Sequence, residues 1–262
     1  MLNIGASKDE KKIFEYIGKD YGKCAYLYID LKKYGFENDN VTTWYQTDDM
    51  GNLNVIVLRY YNGMHIYSKT NEFDHSEVGE LINEMKPALV CGMKETIDKV
   101  FPFVSNYTPE YGKVLRLENY SGIASDEVYQ GTRDELKEVA ELLMTDEEMG
   151  APYGFDLLYK QLVERYDEGF GRNWIRRDER GIVSHCATYA ELDDIAVISG
   201  GIVRIDRRGK GEYPEQLGAM CRDLFNVGKE VISYYYGGAK SAHKKVGFEI
   251  LGDWEKLILN EA

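Results

Sequence analysis

Arg204-Ile205-Asp206-Arg207-Arg208-Gly209-Lys210-Gly211 is the stretch on which the fold of this chain turns. It packs four cations into seven residues, and two glycines one residue apart let the backbone turn with its N–H groups outward. Upstream, Arg172–Arg177, Ile182–Ala190 and Ile195–Ile205 read as three strands. They are joined by the turn-rich segments Asp178-Glu179-Arg180-Gly181 and Leu192-Asp193-Asp194, so they form an antiparallel meander. Downstream the apolar period changes from 2 to 3.6. Leu217, Met220, Cys221, Leu224 and Phe225 share one helical face, Pro214 suits the first turn and Gly228 the stop. A cationic, glycine-bearing turn that opens a helix is suited to hold a pyrophosphate; the same residues also suit a solvated surface turn.

Two other phosphate loops are excluded by inspection. A Walker loop needs GxxxxGK[ST], but Lys210 is followed by Gly211, and Lys240-Ser241 is preceded by Ala239. A dinucleotide fingerprint needs a third glycine where Pro214 stands, and a βαβ unit where the meander stands. Further upstream, Thr132-Arg133-Asp134-Glu135 is a capping box that opens a helix with Leu136, Val139, Leu142 and Leu143 on one face, and a second helix is expected over Phe155 to Arg165.

The meander, loop and helix continue into a strand at Val231–Tyr236, a short helix at Ala239–Lys245 and the run Lys244-Lys245-Val246-Gly247-Phe248, with a last strand pair from Phe248 to Leu259. In this order the chain resembles the GNAT superfamily of N-acetyltransferases over about residues 125–262. The family's acyl-CoA loop, Q/R-x-x-G-x-G/A, aligns with Asp206 to Gly211, and Asp206 departs from its first position. The resemblance implies acetyl-CoA as co-substrate, lying in a V-shaped opening between the third meander strand and the strand at Val231–Tyr236. It implies that backbone groups of Ile202 and Val203 pair with the pantetheine arm. Arg208, Gly209, Lys210 and Gly211 would wrap the pyrophosphate, with Glu212 and Tyr213 opening the helix. It also sets His243 where the family often has a tyrosine that protonates the departing CoA thiolate. A histidine titrating near 6.5 suits that task, while the flanking Lys240, Lys244 and Lys245 equally suit a surface helix.

Gly200-Gly201 inside the third strand marks a bulge or a close backbone approach, which splaying that strand from its neighbour requires. Transfer to an amine needs a neutral nitrogen, so a carboxylate or an ordered water must take its proton. Glu191, ending the second meander strand, is the first candidate base, with a solvated strand end as its alternative role; Asp193-Asp194 reads as turn chemistry. A backbone N–H freed by a bulge near Val203 would meet the oxyanion.

The remainder of the chain bounds this reading. It has 262 residues, 45 acidic against 32 basic side chains and a net charge of −13, which disfavours nucleic acid and anionic membranes as partners. Cys24, Cys91, Cys186 and Cys221 form no metal-binding spacing, so no metal site is expected. The charged N-terminus and the lack of a long apolar run predict a cytoplasmic protein. Residues 1–120 read as a helix near Lys11 to Lys19, β-rich segments at Ala25–Leu31 and Asn54–Tyr60, a short run Met64–Tyr67 and a helix at Ser76–Met85; the polar stretch Asn119–Ala124 is the expected boundary.

The expected fold is therefore α+β, with two domains. Residues 121–262 form the acetyltransferase domain, a mostly antiparallel sheet flanked by helices. Residues 1–120 form a smaller α/β domain, either a degenerate GNAT-like half or an unrelated lid or dimerisation domain; a homodimer stays open. The expected acceptor is a small-molecule or peptide amine, drawn by acidic clusters such as Asp146-Glu147-Glu148; Tyr234, Tyr235 and Tyr236 alternate faces of a strand, so at least one is core and the others are available to line a pocket. The rival function is a non-catalytic acyl-CoA sensor or interaction module.

Overall fold

The computed structural model describes residues 1–146, 149, 154–235 and 240–260. Its compact units are Met1–Val114 with Ile250–Ala262, and Leu115–Glu249. This division differs from 1–120 and 121–262 at both ends. The polar stretch at Asn119–Ala124 is no linker, because it packs within the second unit: Ser121 N–H donates to Val246 C=O at 3.0 Å. A Cβ at Gly247 would strike the Asn119 carbonyl, and one at Gly218 the Ile123 carbonyl.

In the first unit the order is β1 (Asn3–Ile4), α1 (Glu10–Ile17), α2 (Ala25–Tyr34), β2 (Val41–Thr47), β3 (Leu53–Tyr60), β4 (Gly63–Tyr67), α3 (His75–Met85), β5 (Leu89–Met93), α4 (Lys94–Val100) and the start of β6 (Tyr107–Leu117). Strands β1 to β4 pair antiparallel in sequence, and β4 pairs parallel with β5. Ala25–Leu31, expected as strand, is helical. Its six buried residues give no polar face for a period to show, and Gly35 with φ +69° ends it. The expected strand pair after Phe248 is one strand, β12 (Phe248–Leu259). Trp254–Ile258 of β12 pair with β5, which assigns the chain's end to the first unit. Gly252 looks like a turn signal but is there for space, since a Cβ would run into Met93.

The second unit repeats that order: β7 (Tyr129–Gln130), α5 (Leu136–Leu143), α6 (Phe155–Asp167), β8 (Asn173–Asp178), β9 (Gly181–Glu191), β10 (Ile195–Val203), α7 (Glu212–Asn226), β11 (Glu230–Tyr235), α8 (Lys240–Val246) and the start of β12. Strands β7 to β10 pair antiparallel, and β10 pairs parallel with β11. Helices α5 and α6 cover one face through Val139, Leu143, Leu158 and Leu162, against Ile175 and Ile202. Helix α7 packs on the other through Leu217, Met220, Cys221 and Leu224, against Trp174 and Ile198. Polar pins fix α7 on the meander. Gln216, wholly buried, accepts from Ser184 Oγ at 2.8 Å and donates to the Trp174 carbonyl at 2.7 Å, while Trp174 Nε1 donates to Asp223 at 2.8 Å. Where Thr132 opens α5, its backbone N–H donates to Glu135 at 2.9 Å, the expected capping bond.

Candidate active site

The site begins where β10 leaves β11. Their parallel register runs from Ile195↔Glu230 to Ile198↔Ser233 and, among the described residues, ends there, although β10 continues to Val203 and β11 to Tyr235. On its other edge β10 carries a bulge. Ser199 pairs with Ala187 and Ile202 with His185, so Gly200 and Gly201 stand against the single residue Cys186. Gly200 has φ +65°, and a Cβ there would meet His185 and Tyr189. A Cβ on Gly201 would lie 2.6 Å from Tyr213 Cε2, so the Tyr213 ring lies directly over the bulge. Burial also pushes the Tyr213 phenol well above its ordinary range.

Beyond β10, Gly209 (φ +79°) and Gly211 (φ +84°) adopt the left-handed region. Gly211 is the N-cap of α7 and offers no side-chain cap, so the first N–H groups of a fifteen-residue helix are left to an external acceptor. The cations are less available than their number suggests. Arg204 holds Asp178 at 2.6 Å and Asp206 at 2.7 Å; Arg207 holds Glu212 at 2.7 Å and Asp178 at 3.2 Å. Hydrogen bonds from Arg204 lead the effects that hold the Asp178 carboxyl down to about 2. Lys210 Nζ donates to the Asp206 carbonyl at 3.1 Å, and Asp206 also accepts from Arg180 at 2.7 Å. Asp206, the departure from the family loop, thus clamps the turn internally. Arg208 differs from the other arginines here. It is half exposed, donates through Nε to the Val203 carbonyl at 2.9 Å, and its contact with Asp146 is the longest of the set at 3.7 Å. Glu212 is buried; one carboxylate oxygen takes Arg207 and the other, Oε2, has no partner among the described residues.

His243 is buried, which overturns the surface-helix alternative. Its Nε2 lies 3.2 Å from Ser233 Oγ, at the last registered position of β11, and its ring is edged by Phe248 at 5.2 Å and Tyr213 at 6.2 Å. Glu191 is elsewhere and is no solvated strand end either. It takes a bidentate pair from Arg172 at 2.7 and 3.0 Å, a bond from Thr188 at 2.8 Å and Lys229 at 3.3 Å. It is registered with Ala196, two residues along and two strands across from Ser233, roughly 12 Å away by strand spacing. The structure therefore sets Ile202, Val203 and Arg208 to Tyr213 along the end of β10 that is not registered with β11, places His243 beside Tyr213, and leaves Glu191 in an ion-pair cluster. Sequence reasoning missed Ser233, Asp178 and the buried His185, whose types and spacings carry no motif. Tyr236, Ala239, Glu147 and Glu148 lie outside the described residues.

No family model and no curated protein sequence matches the chain. Solved structures do. A GCN5-related N-acetyltransferase from Sphaerobacter thermophilus aligns over 100% of this chain and 96% of its own, with a TM-score of 0.64 and 14% identity. A GNAT-family acetyltransferase from Colwellia psychrerythraea aligns over 100% of both chains with a TM-score of 0.61 and 10% identity. The fold is that of the GNAT acetyltransferases. A tandem GNAT protein from the clavulanic acid biosynthesis pathway also aligns over 100% of both chains, at a TM-score of 0.57 and 9% identity. The GNAT order of elements thus occurs twice in this chain, and among the described residues the two occurrences differ in how far their parallel strands are registered. In the first, β4 and β5 are registered from Gly63↔Leu89 to Ile66↔Gly92, nearly their whole length. The N-terminus of α3 there is already filled, because the Asp74 carboxylate accepts from the Ser76 and Glu77 N–H groups at 3.1 Å.

Proposed function

We propose that this protein is an acyl-CoA-dependent N-acyltransferase that moves an acetyl group from acetyl-CoA to a primary amine. The observation that carries this reading is the conjunction of an unzipped β10–β11 pair with an uncapped α7 N-terminus preceded by two left-handed glycines. An anionic tail fits the helix end, where N–H groups and the dipole favour negative charge. Arg208 is the side chain best placed to add to it. The pantetheine arm would run back along Ile202 and Val203 to the bulge, bringing the thioester towards Ser233 and His243.

In the proposed reaction the amine nitrogen attacks the thioester carbonyl carbon, the C–N bond forms and the C–S bond breaks. An ammonium acceptor first gives one proton to water to become the neutral nucleophile, and after attack the surplus proton of the bonded nitrogen also leaves to water. Protonated His243, oriented by Ser233, returns a proton to the departing thiolate, giving free CoA and the amide. A backbone N–H at the bulge is the donor assigned to the oxyanion. Glu191 has no part, because its carboxylate is already held by three donors. The acidity of the chain favours a cationic amine as acceptor.

Isothermal titration tests the base of this reading: acetyl-CoA should bind, and Arg208→Ala should weaken it far more than Lys137→Ala on α5. Thiol release against polyamines, aminoglycosides, amino acids and peptides then tests turnover. His243→Phe should lower kcat at least tenfold with little change in the Kd of acetyl-CoA. Binding without thiol release for any acceptor would favour a sensor that kept the loop.

A further inference from the structure

We propose that His185, braced by Asn173, is a positioning residue for the acyl-CoA thioester: it holds the Gly200 carbonyl and so sets the bulge along which the pantetheine arm lies. This inference rests on the acyl-CoA reading above. Its basis is a relay outside the loop. His185, on β9, has no exposed surface, and Asn173, on β8, is almost as deeply buried. His185 Nδ1 lies 2.8 Å from the Gly200 carbonyl oxygen, and its Nε2 lies 2.8 Å from Asn173 Oδ1.

The proton count of this relay follows from the acceptor at Gly200 and from burial. A carbonyl oxygen only accepts, so Nδ1 carries a proton and donates to Gly200. Burial pushes the imidazole down to about 4, so at neutral pH the ring has one N–H and Nε2 accepts. Two acceptors cannot face each other, so we turn the Asn173 carboxamide by the half-turn that exchanges Oδ1 for its NH2 at Nε2. Both ring nitrogens and the Gly200 carbonyl are then paired, with no charge buried.

That matters because of where Gly200 stands. A bulge turns one carbonyl out of the strand ladder, and a buried carbonyl without a donor is costly. His185 supplies the donor at the residue with φ +65°, and in doing so fixes the peptide plane between Gly200 and Gly201. The Tyr213 ring bounds Gly201 from its other side. Between them they settle which way the next N–H and C=O groups, at Gly201 and Ile202, face. Without the imidazole, the peptide at Gly200 is free to rotate towards another donor, and the groups aimed at the pantetheine arm move with it. The Arg208–Gly211 loop lies beyond Val203 and is held by its own ion pairs, so the nucleotide end should not feel the change.

The test separates the two ends of the cofactor. Acetyl-CoA and adenosine 3′,5′-bisphosphate, which lacks the pantetheine arm, are titrated calorimetrically into wild type, His185→Ala and His185→Asn. His185→Ala should weaken acetyl-CoA about tenfold, the size of one buried hydrogen bond, and leave the bisphosphate within about twofold. His185→Asn, whose amide N–H overlies Nδ1, should recover most of the loss. If His185→Ala does not fold, Asn173→Ala is read instead, with a loss of about threefold or more for acetyl-CoA alone. Unchanged acetyl-CoA affinity, or equal losses for both ligands, overturns the positioning role while the acyl-CoA reading stands. Failure of wild type to bind acetyl-CoA overturns that reading and this inference with it.

Discussion

His185 and Asp30 are both buried titratable groups, and they pull the pH dependence of stability in opposite directions. His185 is held down to about 4, whereas in the unfolded chain it titrates near 6.5. Between those values the unfolded state binds more protons, so the contribution of His185 is fully present above about 6.5 and is lost as pH falls towards 4. Its size is at most about 3 kcal/mol. Asp30, on α2, is pushed up to about 7 by burial, only partly opposed by Lys33. There the folded state binds the extra proton, so Asp30 costs stability as pH rises from about 4 to 7. Urea unfolding across pH 4 to 8 should show wild type gaining on His185→Asn as pH rises, and losing ground to Asp30→Asn over the same range. Parallel curves for either variant would refute its assigned protonation state.

At the scale of the element, the glycines before α7 differ in kind from the pair in β10. A Cβ on Gly209 or Gly211 would meet nothing, so Gly211→Ala incurs only the strain of a left-handed alanine, about 1 kcal/mol. Because that strain is relieved by turning the N–H groups away, acetyl-CoA affinity should fall several-fold with a Tm change of only a few degrees. Gly201→Ala instead drives a methyl into Tyr213 and should cost about 1–3 kcal/mol of stability, read by urea unfolding.

The same contrast explains what could be read in advance. The meander, the loop and α7 were legible because turns, glycines and a 3.6 period agree there. Helix α2 was not, since six of the seven residues Ala25 to Leu31 are buried and the segment shows no polar face. Strand β2, Val41–Thr47, went unread although it is rich in β-branched and aromatic residues and its partner β3 was read at Asn54–Tyr60. The availability of the loop cations was hidden for another reason. Asp178 lies 26 residues before Arg204, and a turn aspartate carries no sign that it will clamp two arginines.

At the scale of the whole molecule, two units share one order of elements and, among the described residues, differ in the two features that the proposed cofactor site needs. An opening needs an unpaired stretch between the two parallel strands and a helix end without its own acceptor; β10–β11 and α7 meet both conditions, β4–β5 and α3 neither. Prying β4 from β5 would separate His65 from Cys91 and Ile66 from Gly92, and would still meet the Asp74 carboxylate at the helix end. Acetyl-CoA should therefore bind with a stoichiometry of one per chain, and Arg208→Ala should weaken the entire isotherm without uncovering a second site. Asp74→Ala bears on the same point from the other unit. It removes the α3 cap at a cost of about 1 kcal/mol but should create no new acetyl-CoA binding, since the strands beside it stay paired. Calorimetry giving two sites, or a residual site untouched by Arg208→Ala, would mean that the first unit opens after all.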